Sequence, residues 1–147
     1  MNQETFYKKK QQQESTALDN KKQNLEDYKT ILYIEDNPVN IKLVEKICSL
    51  HPKLKLVSTH LGELGLAMAK SQKLDLILLD INLPGLNGFE VVKELKQDTN
   101  TQHIPVIALS ANVLPRDIEK GRQAGFDDYV TKPINVKLLL EKFEEFL

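Results

Sequence analysis

Short apolar runs alternate with longer amphipathic stretches through most of the chain, and this alternation limits the folds open to it. After Thr30 the apolar runs occupy residues 31–34, 54–57, 76–79, 106–109 and 129–130. Nearly continuous apolar runs of this length are typical of parallel strands covered on both faces. The pattern therefore predicts an α/β domain with a (βα)₅ doubly wound, five-stranded parallel sheet.

The stretches between the runs carry the signals of helices. They span about residues 38–49, 61–73, 88–97, 115–124 and 135–147. Asn37, Asn87 and Asn135 stand at the start of three of them, and asparagine is among the preferred N-cap residues. Gly125 stands where a helix C-cap favours glycine. Each strand is thus predicted to lead into a helix.

The first 29 residues lack this pattern. They include the run KKKQQQ at 8–13 and few apolar side chains. Such a composition buries too little apolar surface to hold a packed fold. We expect residues 1–29 to be a polar linker or tail, disordered or loosely helical, and residues 30–147 to be the folded domain.

Composition excludes several classes of protein. Cys48 is the only cysteine, so an intrachain disulfide cannot form and a reducing compartment is expected. No apolar run reaches the ~18 residues of a membrane span, and the polar N-terminus is not a signal peptide. The net charge of −1 gives no strong attraction to nucleic acid. We therefore expect a cytoplasmic protein without direct membrane or nucleic-acid partners.

Polar side chains follow four of the five predicted strands, at the edge where function gathers in parallel sheets. The first run ends in Glu35 and Asp36, the third in Asp80, the fourth in Ser110 and the fifth near Lys132. Singly, each has an ordinary explanation as a helix cap, an Asx turn, a local backbone contact or a surface lysine. Together, three carboxylates would repel one another unless a cation neutralises them. Mg²⁺, which prefers oxygen ligands, is the natural partner.

Four motifs stand in order at the ends of these strands: IEDN at 34–37, LDINLPGLNG at 79–88, ALSAN at 108–112 and YVTKP at 129–133. On these motifs, residues 30–147 resemble the receiver domain of two-component response regulators. The resemblance implies the flavodoxin-like strand order 2-1-3-4-5. It also implies a phosphoryl group accepted on Asp80 and a signalling role. Enzymatic activity would be limited to the domain's own phosphotransfer and dephosphorylation.

The resemblance assigns a metal site as well. Asp36, one oxygen of Asp80 and the backbone carbonyl of Asn82 would bind Mg²⁺, and Glu35 would act through water. By the same resemblance, the peptide bond before Pro133 should be cis, a rare state for an X–Pro bond.

Other roles implied by the resemblance concern the phosphoryl group and its readout. Lys132 would pair with one phosphoryl oxygen and the Ser110 hydroxyl would donate to another. Ser110 and Tyr129 would be the switch residues, because a shift of Ser110 leaves space for an aromatic ring. Asn82 and Asn112 would tune the lifetime of the acyl phosphate.

The implied partners are a histidine kinase or histidine phosphotransfer protein as donor, and a downstream protein on the face formed by residues 115–147. A homodimer formed on phosphorylation is a further option.

Two settings are open for such a receiver: part of a larger sensor kinase, or a protein of its own. The runs EDNPVN at 35–40 and GFDDY at 125–129 favour the C-terminal receiver of a hybrid sensor kinase. The alternative is a stand-alone regulator that signals by binding a partner. In either setting, we expect a receiver without an output domain of its own.

Three other classes fit less well. A phosphohydrolase with an aspartate nucleophile needs a second aspartate two residues after Asp80, where Asn82 stands. A flavodoxin-like cofactor binder needs a phosphate loop where Glu35 and Asp36 lie, and an NTPase needs a Gly-x-x-x-x-Gly-Lys loop.

Three histidines are expected to be surface loop residues rather than phosphodonors: His51, His60 and His103.

Overall fold

Strands and helices alternate throughout the part of the chain that the computed structural model describes, residues 27–112 and 114–147. In chain order the elements are β1 (Lys29–Ile34), α1 (Pro38–Ser49), β2 (Leu54–Thr59), α2 (Gly62–Ser71), β3 (Leu76–Asp80), α3 (Gly88–Gln97), β4 (Val106–Ser110), α4 (Pro115–Ala124), β5 (Asp128–Thr131) and α5 (Val136–Phe146). The predicted alternation is confirmed. The linker expected at 1–29 lies, up to residue 26, outside the described residues.

The five strands form one parallel sheet in the order β2-β1-β3-β4-β5, as the resemblance implied. Ile34 at the end of β1 pairs with Leu79, and Ser110 at the end of β4 pairs with Thr131. This register aligns the carboxyl ends of four strands, so the side chains that follow them come together at one edge of the sheet. Among the described helices, none has the length and apolar character needed to cross a membrane.

The sheet separates two hydrophobic cores. Leu32 and Ile34 of β1 face one core, and Ile31 and Tyr33 face the other. The first core is covered mainly by α2 and α3, with Leu66, Ala69, Val91, Val92 and Leu95. The second is covered by α1 and α5, with Val44, Ile47, Cys48, Leu139 and Phe143. Burial on both faces explains why the strands read as continuous apolar runs.

The ends of the helices follow the predicted capping pattern. The side chains of Asn37, Asn87 and Asn135 each accept a hydrogen bond from a backbone N–H two or three residues further on, at 2.9, 3.1 and 3.0 Å. Gly125 ends α4 with a φ of 119°, in the left-handed region that a side chain disfavours. These caps fix where α1, α3 and α5 leave the edge that carries the polar residues.

At the amino ends of the strands, opposite the polar cluster, the start of β1 and the end of α5 come together. Lys29 begins β1 there, and α5 runs back to the same edge and ends near Leu147. Both residues line a cavity of about 240 Å³, together with His51 and Phe143. The polar cluster at the carboxyl edge is therefore remote from both ends of the described chain.

Candidate functional site

Three carboxylates meet at the carboxyl edge of the sheet. Glu35 and Asp36 follow β1, and Asp80 is the last residue of β3. One oxygen from each lies within 4.8 Å of the others. Glu35 and Asp80 are buried, with 0% and 3% of their surface exposed, whereas Asp36 is exposed. The convergence expected from the sequence is thus present, and it places negative charge where water solvates it poorly.

Lys132 joins this cluster from the end of β5. Its Nζ lies 3.1 Å from Asp80 Oδ2 and 3.3 Å from Glu35 Oε1. Burial opposes the charged form of this lysine, but the charges of Asp80 and Glu35 outweigh it and raise the pKa of Lys132. The peptide bond between Lys132 and Pro133 is cis, as expected. The ammonium group stays positive and offsets part of the charge of the three carboxylates.

Glu35 is held by an interaction that sequence reasoning missed. Asn40, in the first turn of α1, donates from Nδ2 to Glu35 Oε1 at 2.7 Å. Burial, followed by the proximity of Asp80, raises the pKa of Glu35 to about 7, although Asn40 and Lys132 act in the opposite direction. The raised pKa means that the cluster resists full ionisation. A bound cation would favour the ionised form of all three carboxylates.

Asp80 is oriented through both of its oxygens. Oδ1 accepts a hydrogen bond from the backbone N–H of Asn82 at 3.1 Å, and Oδ2 accepts from Lys132. The start of α3 packs backbone to backbone against this strand end. A Cβ on Gly88 would lie 2.6 Å from Ile81 Cα and 2.8 Å from the Asp80 carbonyl oxygen. Only glycine fits this approach without a shift of the backbone next to Asp80.

A chain of hydrogen bonds leads from Ser110 to Tyr129. Ser110 is fully buried, and its Oγ accepts from the backbone N–H of Asn112 at 3.1 Å. The carbonyl oxygen of Asn112 accepts from the Tyr129 hydroxyl at 2.9 Å. The Tyr129 ring lies against α4, where a Cβ on Gly121 would be 3.2 Å from the ring. The two residues expected to form a switch are thus linked through one backbone segment.

An open cleft of about 480 Å³ lies beside the carboxylates. Asp36, Asn82 and Asn87 line it together with two residues that no motif pointed to, Phe89 of α3 and Lys120 of α4. Lys120 Nζ lies 4.5 Å from the centre of the Phe89 ring. Sequence reasoning missed this pair because α3 and α4 meet only through the tertiary fold. Of the three carboxylates, Asp36 lines this cleft, so the cleft reaches the acidic cluster at Asp36.

The three histidines lie between helices and strands, as expected: His51, His60 and His103.

Known proteins resemble this chain in sequence and in structure. A family model described as the response regulator receiver domain matches residues 31–144. The polar-differentiation response regulator DivK of Brucella anthropi is 38% identical over 119 residues, which cover 81% of this chain and 96% of DivK.

Solved structures share the fold. The receiver domain of the sensor histidine kinase PA1611 from Pseudomonas aeruginosa is 33% identical, with a TM-score of 0.74 over 81% of this chain and 97% of that one. That structure has a magnesium ion coordinated in its active-site cleft. The chemotaxis protein CheY4 of Vibrio cholerae shares the fold, with a TM-score of 0.76, 23% identity, and coverage of 82% of this chain and 99% of that one.

Proposed function

Because the chain belongs to the response regulator receiver domain family, we propose that Asp80 is the residue on which it accepts a phosphoryl group in two-component signalling. One observation carries this assignment. The Asp80 carboxylate, at the end of β3, lies 3.1 Å from the Lys132 ammonium group and has an oxygen within 4.8 Å of oxygens of the other two carboxylates. Asp80 shares burial and the Lys132 partner with Glu35, but of the two it is Asp80 that also accepts a hydrogen bond from the loop after its strand, through the Asn82 N–H.

Receiver domains bind Mg²⁺ in an acidic active site, and the donor atoms here fit that ion. Three carboxylate oxygens lie within 4.8 Å of one another, and one lysine alone cannot balance their charge. Hard oxygen ligands favour Mg²⁺, which keeps several waters. We assign Asp36, Asp80 and the backbone carbonyl of Asn82 as ligands, with Glu35 acting through water. The bound ion would neutralise charge on the phosphoryl group and its acceptor.

The transfer reaction requires little covalent chemistry from the protein. An oxygen of Asp80 attacks the phosphorus atom, an O–P bond forms, and the bond from phosphorus to the donor nitrogen or oxygen breaks. Because the transition state is loose, positioning and charge neutralisation dominate catalysis. Lys132 can follow the charge from the carboxylate to a phosphoryl oxygen, and the Ser110 hydroxyl can donate to another. Asn82 and Asn112 would flank the product and tune its hydrolysis.

The proposal predicts one phosphoryl adduct that depends on metal. We expect incubation with acetyl phosphate and Mg²⁺ to add a single phosphoryl group, because the cleft admits a small donor to one buried carboxylate. A chelator added beforehand should prevent the adduct. Intact-mass spectrometry followed by fragmentation measures its number and position. Equal labelling with and without metal, or labelling outside residues 79–88, would contradict the proposal.

The natural phosphodonor is a histidine kinase or a histidine phosphotransfer protein. The relatives include both settings considered for this chain, a response regulator and a receiver domain of a sensor histidine kinase. Both settings use the same transfer from phosphohistidine to aspartate. The downstream partner would meet the face formed by residues 115–147, and a homodimer formed on phosphorylation would use the same face.

The hydrogen-bond chain from Ser110 to Tyr129 supports a switch that reports phosphorylation to this face. Ser110 Oγ now bonds the backbone of Asn112, whose carbonyl holds the Tyr129 hydroxyl. A phosphoryl group adds about two negative charges and strong acceptor oxygens at the strand ends. Rotation of the Ser110 hydroxyl towards it would release the backbone of Asn112 and free the tyrosine ring to move against α4.

Ser110→Ala is therefore expected to separate phosphorylation from its readout. Beryllofluoride, a phosphoryl mimic, should still bind to Asp80, because Asp80 and not Ser110 is the residue that accepts the phosphoryl group. The amide-exchange change in α4 and around Tyr129 should be smaller than in wild type. Ser49→Ala, at an exposed position at the end of α1, is the matched control and should behave as wild type. A full response of α4 in Ser110→Ala would contradict the switch.

A further inference from the structure

The cleft beside Asp80 is lined by a basic side chain, that of Lys120, which has no role in the transfer reaction described above. Of the described residues that line it, Lys120 alone is basic, and Asp36 lines the same cleft. Lys120 is an exposed residue of α4. It is separate from Lys132, which is committed to Asp80 and Glu35 within the buried cluster.

The ammonium group of Lys120 is held at the cleft by an aromatic ring. Its Nζ lies 4.5 Å from the centre of the Phe89 ring, and Phe89 packs edge-on against Phe126 with ring centres 6.2 Å apart. Within the described part of the chain, no carboxylate forms an ion pair with Lys120. A cation over a ring at an exposed site is weakly held. An anion that enters the cleft can therefore attract it.

Charge explains what such a cation could do. A phosphodonor brings a negatively charged phosphoryl group towards three carboxylates that Lys132 balances only in part. Charges on the rim of a binding site act mainly on association and on its salt dependence. A positive charge on the wall of the cleft lowers the repulsion on approach, and it does so more for a more anionic donor.

We propose that Lys120 is a specificity-determining residue that favours strongly anionic phosphodonors over less charged ones at the Asp80 cleft. The inference rests on the proposed function, since it concerns donors for Asp80. The contending explanation is that Lys120 only fastens α4 to α3 through Phe89. The two differ in whether the positive charge or the aromatic contact matters.

Two small donors of different charge separate these explanations. Acetyl phosphate is the more anionic, whereas the ammonium group of phosphoramidate offsets part of its charge. We expect Lys120→Gln to lower the rate of adduct formation from acetyl phosphate about threefold relative to phosphoramidate, as loss of one solvated charge contact predicts. The salt dependence of the acetyl phosphate reaction should become less steep. Intact-mass spectrometry at several donor concentrations measures both rates.

Three further variants complete the test. Lys120→Arg keeps the charge and should retain the wild-type preference. Phe89→Leu removes the ring but keeps the charge, and should also retain most of it. Lys46→Gln makes the same charge change in the last turn of α1, at the other end of the molecule, and should have no effect.

The outcomes are distinguishable. If wild type forms no adduct on Asp80, the proposed function itself fails. If wild type is labelled on Asp80 but Lys120→Gln keeps the wild-type ratio of the two donors, only the role of Lys120 is wrong. If Phe89→Leu and Lys120→Gln change the ratio equally, the contact is structural and the inference is overturned as well.

Discussion

Asp80→Asn is expected to abolish the phosphoryl adduct. The amide oxygen of asparagine is a poor nucleophile, and the variant also removes one negative charge from the cluster next to Lys132. The fold should be preserved, because an amide has nearly the same shape and its oxygen can still accept from the Asn82 N–H that now bonds Oδ1 at 3.1 Å. Intact-mass spectrometry after incubation with acetyl phosphate and Mg²⁺ measures the loss, and thermal unfolding checks the fold.

Two other aspartates provide the controls for that experiment. Asp36→Asn keeps the nucleophile but removes a proposed metal ligand, so the adduct should form only at higher Mg²⁺ concentrations. Asp117→Asn, in the first turn of α4 and away from the cleft, should be labelled as wild type. Undiminished labelling of Asp80→Asn would place the phosphoacceptor elsewhere, and an unchanged Mg²⁺ requirement in Asp36→Asn would remove that residue from the metal site.

Lys132→Met is expected to cause the largest loss of stability among the site variants. Nζ now contacts Asp80 at 3.1 Å and Glu35 at 3.3 Å, and both carboxylates are buried. Removing one partner of a buried ion pair leaves charge uncompensated and costs about 3–5 kcal/mol. Methionine keeps the apolar stem, so the lost charge dominates. Urea unfolding in metal-free buffer measures the change in the free energy of unfolding.

The loss should depend on pH because Glu35 titrates near neutrality. Its pKa is raised in the fold from 4.5 to about 7, so the native state binds the proton more tightly than the unfolded chain. The stability from this raised pKa is present below about pH 4.5 and is lost as the pH rises through 7. Lys132 lowers the pKa of Glu35, and its removal should raise it further. The variant should therefore differ more from wild type at pH 8 than at pH 5.

Metal and a matched lysine variant test the same electrostatics. Mg²⁺ at millimolar concentration should restore part of the stability of Lys132→Met at pH 8, since it binds the folded state. Lys137→Met, at an exposed position in the first turn of α5, should cost little at either pH. An equal loss at pH 5 and pH 8 for Lys132→Met would show that packing, not charge, explains the effect.

The sequence predicted the strands and helices well because the sheet is buried on both faces. The exact ends of the strands were harder, most of all for β1 and β2. β1 begins at Lys29 and β2 continues to Thr59, beyond the apolar runs. These residues are polar but are held by backbone pairing, Lys29 with Leu54 and Ile34 with Thr59. Hydropathy detects buried side chains and does not detect backbone pairing at the rim of a sheet.

The acidic cluster was predictable for a related reason. The carboxyl ends of parallel strands share one edge, so Glu35, Asp80 and Lys132 had to come close. The local hydrogen bonds that explain Asp80 and Ser110 singly are present together with that cluster. Asp80 accepts from the N–H of Asn82, and Ser110 accepts from the N–H of Asn112, as an Asx turn and a local backbone contact would. Local bonds and the shared site therefore coexist.

Contacts between elements distant in sequence could not be predicted in this way. The bond from Tyr129 to the Asn112 carbonyl depends on the path of the backbone after β4, and the pair of Lys120 and Phe89 depends on how α4 lies against α3. Neither has a short sequence pattern. The contact between Asn40 and Glu35 was easier to predict, because Asn40 lies in the first turn of α1, only five residues after Glu35.

The meeting of Lys29 and Leu147 at one cavity has a consequence for protein engineering. The six residues of β1 span ~20 Å, so a segment joined before Lys29 or after Leu147 attaches about that far from the cleft. Adjacent ends are the geometry that allows a domain to be inserted into a surface loop of another protein, or to be circularly permuted. Grafted into a reporter enzyme or a fluorescent protein through these ends, the domain would keep its cleft open to the donor. It would then act as a phosphorylation-controlled module within the host.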